Sequence, residues 1–348
     1  SGSTINVSEA VVDDARLELR DPDQDAPAAA GQIDLPRINL PLELVVGKLL
    51  LERPAWDAYG DRRALRSLLV QGRWQRTVLQ LGQLRIRSVD YGTVALAGQV
   101  DFSANWPLEV AGEAEVADLD GWPTQLERRA TIEASGDLAA LHLQLLLGED
   151  TRVQLEAQVN TLDTELPFQA NATAQWPGEL LPSGWLTLPD TLAQLQLSSP
   201  LRMAAGGTLA SQHFQLQASG SVPELPALAL ELAGRHEAGV LTIEDMRLQD
   251  QAATNTLWGL GQVTLGQPMQ WSATLESSGF DLPGSNVVEQ AAMTFKGRVE
   301  GRLQLAGSSE ADAWQLSISE ADLAGTINGL PALVVGYAGL DSDMKLAA

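Results

Sequence analysis

The side chains best equipped for chemistry are three histidines, His142, His213 and His236, and a large stock of carboxylates. An imidazole titrates near neutral pH and binds metals, but it needs a second ligand or a proton partner close by. His142 stands between Leu141 and Leu143, so strand alternation turns it away from the apolar side. His213 precedes Phe214, and His236 follows Arg235 in what reads as a polar turn. None has a second histidine at ligand spacing. Cysteine is absent, which removes thiolate metal sites, disulfides and cysteine nucleophiles together.

Asp21-Pro22-Asp23-Gln24-Asp25 begins like a calcium loop, because alternate carboxylates can converge on a hard cation. Ala26 then stands where the turn needs glycine and Gln32 where a bidentate glutamate belongs, so a solvated linker is expected. The carboxylate pairs Asp118/Asp120 and Asp341/Asp343 lack a recognisable pocket for acid–base work. No nucleophile elbow or P-loop occurs, and Gly259-Leu260-Gly261 lacks the third glycine of a dinucleotide fingerprint. The sequence reads as a non-enzyme with no metal site and no cofactor.

Composition narrows the classes further. Lys+Arg 22 against Asp+Glu 45 gives a net charge of −23, which repels phosphate backbones and argues against nucleic acid. Hydrophobic residues at 45% with charged residues at 19% supply a core, and 348 residues exceed one ordinary domain. No apolar run of about 18 residues occurs, and the longest, Leu330 to Leu340, is too short to span a bilayer as a helix. Ser1-Gly2-Ser3 reads as a cloning scar, so a fragment of a longer protein is expected, with any address or membrane anchor removed.

The elements that must position any site are strands. Strict period-two alternation runs through Phe295, Val299, Leu303 and Leu305, with Lys296, Arg298, Glu300, Arg302 and Gln304 between. The same grammar marks Val94, Leu96, Val100 and Phe102; Leu141, Leu143 and Leu145; Val153 and Leu155; Phe214 and Leu216; and Leu228 and Leu230. It continues through Leu241 and Ile243; Val263 and Leu265; Trp271 and Leu275; and Trp314, Leu316 and Ile318. These side chains are the expected lining of one apolar face. Strands every 10 to 14 residues or so imply about 25 of them, mainly antiparallel.

Helical spacing is scarce. Arg62 to Val70 is ambiguous, and Val287 to Met293 after Ser285-Asn286 has a cap but few turns. A loose repeat, glycine-led strand, polar turn, aromatic-led return strand, appears at Gly98 to Trp106, Gly207 to Phe214, Gly261 to Trp271 and Gly301 to Trp314. Nine tryptophans outnumber five phenylalanines and three tyrosines, and Trp106, Trp122 and Trp176 each precede proline, which suits a strand start or bend. Such indoles are expected to plug the ends of the apolar strip; the alternatives are a ligand path or a membrane interface. The expected organisation is a scar at residues 1–3, strands over 4–20, a flexible Pro/Ala/Asp-rich linker over 21–32, and a continuous repeating β-groove over 33–348.

One apolar face per sheet must be hidden, and helices to cover it are missing. A barrel of about 25 strands would enclose a lumen too wide to fill with side chains. The expected solution is an all-β, elongated, strongly curved, mainly antiparallel sheet folded lengthwise into an apolar groove with few or no helices. At about 4.8 Å per strand such a trough runs on the order of 120 Å. Each methylene moved from water to its lining gains about 0.8 kcal/mol, so an acyl chain of about 16 carbons gains on the order of 12 kcal/mol before ordering costs. Phospholipid acyl chains are therefore the expected occupants.

Two stretches carry a family resemblance. LPLELVVGKLLL at 40–51 with GTVALAGQVDFSANWPLEV at 92–110, and FKGRVEGRLQLAG at 295–307 with WQLSI at 314–318, resemble an upstream part of the TamB family of translocation and assembly modules, within the AsmA-like bridge-like lipid transfer group. The resemblance runs from about Leu35 to the end. It implies a groove called a β-taco, a periplasmic location between an inner-membrane anchor and an outer-membrane partner of the Omp85 type (TamA-like) engaged through a C-terminal region absent here, and phospholipid movement between the membranes. The alternative it implies is chaperone-like assistance to outer-membrane protein and autotransporter assembly.

Overall fold

The computed structural model describes residues 3–19, 31, 33–58, 61–88, 90, 92–117, 127–148, 152–175, 196–221, 227–250, 256–265, 269–288, 293–310, 313–327, 330–341 and 346–347. Alternation of polar and apolar side chains satisfies a half-covered sheet and nothing else, and these residues form 25 strands and no helix. Two compact units result, Ser1–Ala174 and Gln175–Ala348.

The first unit holds β1 (Thr4–Val7), β2 (Ala10–Asp13), β3 (Arg16–Leu19), β4 (Leu40–Glu52), β5 (Ala55–Ala58), β6 (Asp61–Ala64) and β7 (Ser67–Arg76). It continues with β8 (Val78–Arg87), β9 (Gly92–Asp101), β10 (Leu108–Val116), β11 (Arg129–Asp137), β12 (Ala140–Leu147), β13 (Arg152–Val159) and β14 (Phe168–Gln175). From β4 through β7 to β13 each strand pairs antiparallel with the next in that series. β1 and β2 lie parallel to β4, and β3 lies parallel to β5, which pairs with β6 in a separate small sheet. Ambiguous Arg62–Val70 is therefore strand, split between β6 and β7: its leucines serve an extended backbone because the neighbouring strands offer ladder partners on both sides of β7.

The second unit holds β15 (Gln196–Leu197), β16 (Leu201–Gly207), β17 (Ser211–Ser221), β18 (Leu228–Glu237), β19 (Val240–Asp250) and β20 (Thr256–Thr264). β21 (Met269–Val288), β22 (Met293–Glu310), β23 (Ala313–Ile327), β24 (Leu330–Asp341) and β25 (Leu346–Ala347) complete it. β16 to β25 form an antiparallel meander, with β15 also on β17. The capped candidate at Val287–Met293 is not helical where it is described: Val287 and Val288 extend β21, and Met293 opens β22 opposite Val288. All four glycine-to-aromatic repeats are hairpins, β9–β10, β16–β17, β20–β21 and β22–β23. Trp106-Pro107 immediately precedes β10, as expected of a residue pair that cannot feed a ladder. Trp122, Trp176 and nearly all of the expected linker, residues 21–30 and 32, lie outside the described residues.

No pairing among the described strands joins β4 to β13 or β16 to β24, so neither meander closes on itself. Bending comes instead from bulges and glycines. Ladder register shifts within β4–β7, β7–β8, β8–β9, β18–β19, β19–β20, β21–β22, β22–β23 and β23–β24. Each shift adds twist and turns the strand. At Gly98 the backbone has φ +149°, and a Cβ would lie 2.1 Å from the Glu109 carbonyl oxygen on β10. Only glycine permits that approach.

Short charged contacts fasten the parallel strands. Lys48 bonds Glu9 at 2.7 Å, and Arg53 bonds Asp13 at 2.7 Å and Asp14 at 2.9 Å. Hydrogen bonding from Lys48 and its charge lower the Glu9 pKa; hydrogen bonding from Arg53 does the same for Asp14. The partners are exposed, so salt weakens them.

Two predictions follow from this geometry. Gly98→Ala destabilises the chain by about 1–3 kcal/mol in urea unfolding, whereas Gly82→Ala, whose Cβ would meet only the Gln71 carbonyl oxygen at 3.7 Å, is neutral or stabilising by less than about 1 kcal/mol. Because the lowered carboxylate pKa values stabilise the fold above their unfolded range, hydrogen-exchange protection of Ala10–Asp13 falls as pH drops below about 4, and falls at pH 7 in Arg53→Ala, while β12 keeps its protection.

Candidate functional site: an apolar face in each unit

Register decides which side chains share a face. In the first unit the pairings set Val94 beside Ala114, Ala130, Leu147 and Val153, and Leu96 beside Gly112, Ile132, Leu145 and Leu155. The next rows are Gly98, Val110, Ala134, Leu143 and Ala157, then Val100, Leu108, Gly136, Leu141 and Val159. Leu44, Val70, Trp74, Leu79 and Leu84 extend the same face through β4, β7 and β8. Large residues meet small ones along each row, which lets the sheet bend toward this side without collision. The opposite face carries Gln99, Glu109, Glu113, Glu133, His142 and Glu156. Leu146 joins that outer face and is 39% exposed, which settles the parity of the Leu145–Leu147 run.

The second unit repeats the arrangement. One row contains Phe214, Gly234, Ile243, Gly261, Ala273, Leu305 and Ile318; the next contains Leu216, Leu232, Met246, Gly259, Leu275, Leu303 and Ala321. Leu230 lies beside Leu248, Leu228 beside Asp250, and Leu241 beside Val263 and Trp271. Gly234 and Gly307 leave room for the rings of Phe214 and Trp271. Leu265 follows β20 and is 55% exposed, outside the ladder. The register extends the face to Phe295, Val299, Trp314 and Leu316, whose side chains lie outside the described set.

This face is covered only in part. Among the described residues, buried apolar side chains are limited to Ala130, Leu147, Leu162, Ala174 and Ala321, and no large side chain is fully buried. A dry, self-filled stalk would bury its large residues completely. Instead the strands read intermediate, exposed, intermediate, exposed, as in β10 and β12.

One rim of the first unit is stitched shut. Leu138 N–H bonds the Asn105 carbonyl, and Thr161 N–H bonds the Leu138 carbonyl, linking three successive turns. Ile33 N–H reaches the Leu162 carbonyl at 2.6 Å and Ile38 N–H the Phe102 carbonyl at 3.0 Å. Phe102 itself sits between Trp74 and Trp106, with ring centroids 4.9 Å apart in both pairs. The Trp106 indole N–H bonds the Pro36 carbonyl at 3.0 Å. Three aromatic rings, those of Trp74, Phe102 and Trp106, thus lie together at this end of the face.

Two features escaped sequence reasoning. His236 is not in a turn: it lies in β18 on the apolar face, with Nδ1 2.7 Å from Gln212 Oε1, a polar pair at the end of that face. The bulges were also invisible, because alternation continues on both sides of an inserted residue. Among the described residues no cluster of His, Asp or Glu is placed to hold a metal ion. No helix there is long and apolar enough to cross a membrane.

The sequence matches the family described as TamB, N-terminal domain, over residues 6–348. The chain belongs to the TamB family. This is a family of cell-envelope transport or assembly modules rather than of enzymes, and the curved, mainly antiparallel sheet of each unit is of the β-taco kind. No curated protein and no solved structure matches the chain.

Proposed function

We propose that this TamB-family chain is a periplasmic bridge segment that conducts phospholipid between the inner and outer membranes, acyl chains lying on the apolar face and headgroups staying in water. The observation that carries this reading is the apolar face itself, continuous from row to row in each unit and left half-open. A uniform lining gives nearly the same transfer free energy at each step along it, so a tail can slide without a deep well. On the outer face Arg235 lies 3.3 Å from Glu244 and Arg302 3.6 Å from Glu276, so neither stands as a lone cation toward a headgroup. An Omp85-type, TamA-like protein is the proposed partner at the outer membrane.

A second reading, a chaperone-like scaffold for outer-membrane proteins, is favoured by one strand. β24 pairs with β23 along its length but with β25 only at Gly339 and Leu340. Its Leu333, Val335 and Tyr337 are 70%, 68% and 73% exposed. An uncharged edge of this kind can accept an extended polypeptide.

Photo-crosslinkers separate the readings. Probes at Val100 or Leu303 are expected to label phospholipid and probes at Gln99 or Arg302 are not; equal labelling on both faces defeats the conduit. Protein adducts at Val335 without lipid adducts at Leu303 would favour the scaffold. In the full-length protein, Leu303→Asp or Leu96→Glu is expected to block lipid supply to the outer membrane once redundant bridges are deleted, since a charge in the path costs several kcal/mol of desolvation.

A further inference from the structure

The second unit carries a shallow, open depression on the side opposite its apolar face. Glu244 is an extra residue in β19, opposite no single partner in β18, and Ser319 is the extra residue in β23. Both bulges fall in the same cross-strand row, whose middle is Leu260, Thr274 and Gln304. In a bulge two successive side chains emerge on one side, and Glu244 with Asp245, and Ser319 with Glu320, are all exposed. Two bulges four strands apart thus frame a depression of about 650 Å³ whose lining includes Thr242, Gln262, Ser272, Thr274 and Gln304 together with the apolar Leu260, Ile243, Ala273, Leu305 and Ala306.

Its chemistry is specific. The five polar floor residues named are neutral hydroxyls and amides, each able both to donate and to accept a hydrogen bond. The single charged lining residue, Glu244, already faces Arg235 at 3.3 Å. Groups of that dual character match sugar hydroxyls better than they match an ion. Leu260, which lines the depression, is 55% exposed and offers apolar surface for the C–H side of a sugar ring, while Trp258, 38% exposed, lies two residues along the same face outside the lining. Opposite Trp258 across the ladder, Arg247 holds a buried Nε without a hydrogen-bond partner.

We infer that this outer depression of β19–β23 is a binding site for a neutral oligosaccharide, separate from the apolar face and independent of what that face carries. Saturation-transfer NMR of the full chain with excess tetra-N-acetylchitotetraose tests it. The ring protons of the sugar are expected to receive saturation, and Gln262→Ala, at an exposed position, and Thr274→Val each weaken binding about tenfold, the loss of one hydrogen bond to a ligand. Gln144→Leu, on the outer face of the first unit, leaves binding unchanged. Absence of transfer in the unmodified chain, or equal transfer in Gln262→Ala and Gln144→Leu, overturns the inference.

Discussion

A sheet with one apolar face and no second layer to cover it is the constraint on which everything else in this protein depends. Burying apolar surface is the main favourable term in folding, and the usual ways to do it are a facing sheet, a layer of helices or closure into a filled barrel. None is found among the described residues. Each unit instead curves around its own apolar side and leaves that side partly open.

Keeping such a sheet in one register requires local devices. Small residues beside large ones along each row allow bending, and glycine at positions such as Gly98 permits backbone approaches that any Cβ would forbid. The turns at Asn105, Leu138 and Thr161 are linked edge to edge, and the Ile33–Ile38 segment runs along them, so one rim of the first unit is held by backbone hydrogen bonds as well as by the rings packed on Phe102. Exposed ion pairs at Glu9 and Asp14 keep the parallel strands on β4 and cover what would be a bare ladder edge.

The two faces divide the chemistry. Carboxylates and amides collect outside, where water solvates the excess negative charge, and arginines of that face stand against acids, Arg235 against Glu244 and Arg302 against Glu276. Aromatic residues collect where the apolar face ends, as at Phe102 between two indoles. The His236–Gln212 pair marks another such end, where the lining gives way to polar atoms that satisfy each other.

Sequence alone determined the strand grammar, the all-β class, the hairpin repeats and the parity of most lining residues, because period-two alternation is a local property that a one-residue slip would destroy. It also carried the family, through Gly and Trp-Pro landmarks set in that alternation. Arg62–Val70 and Val287–Met293 read ambiguously because short apolar runs fit a helix or a strand until partners are known. Only tertiary structure decided those segments, the parallel placement of β1 and β2, the alignment of the Glu244 and Ser319 bulges in one row, and the openness of the apolar face. Each depends on which strand lies beside which, and hydrogen bonding between residues far apart in the chain sets that.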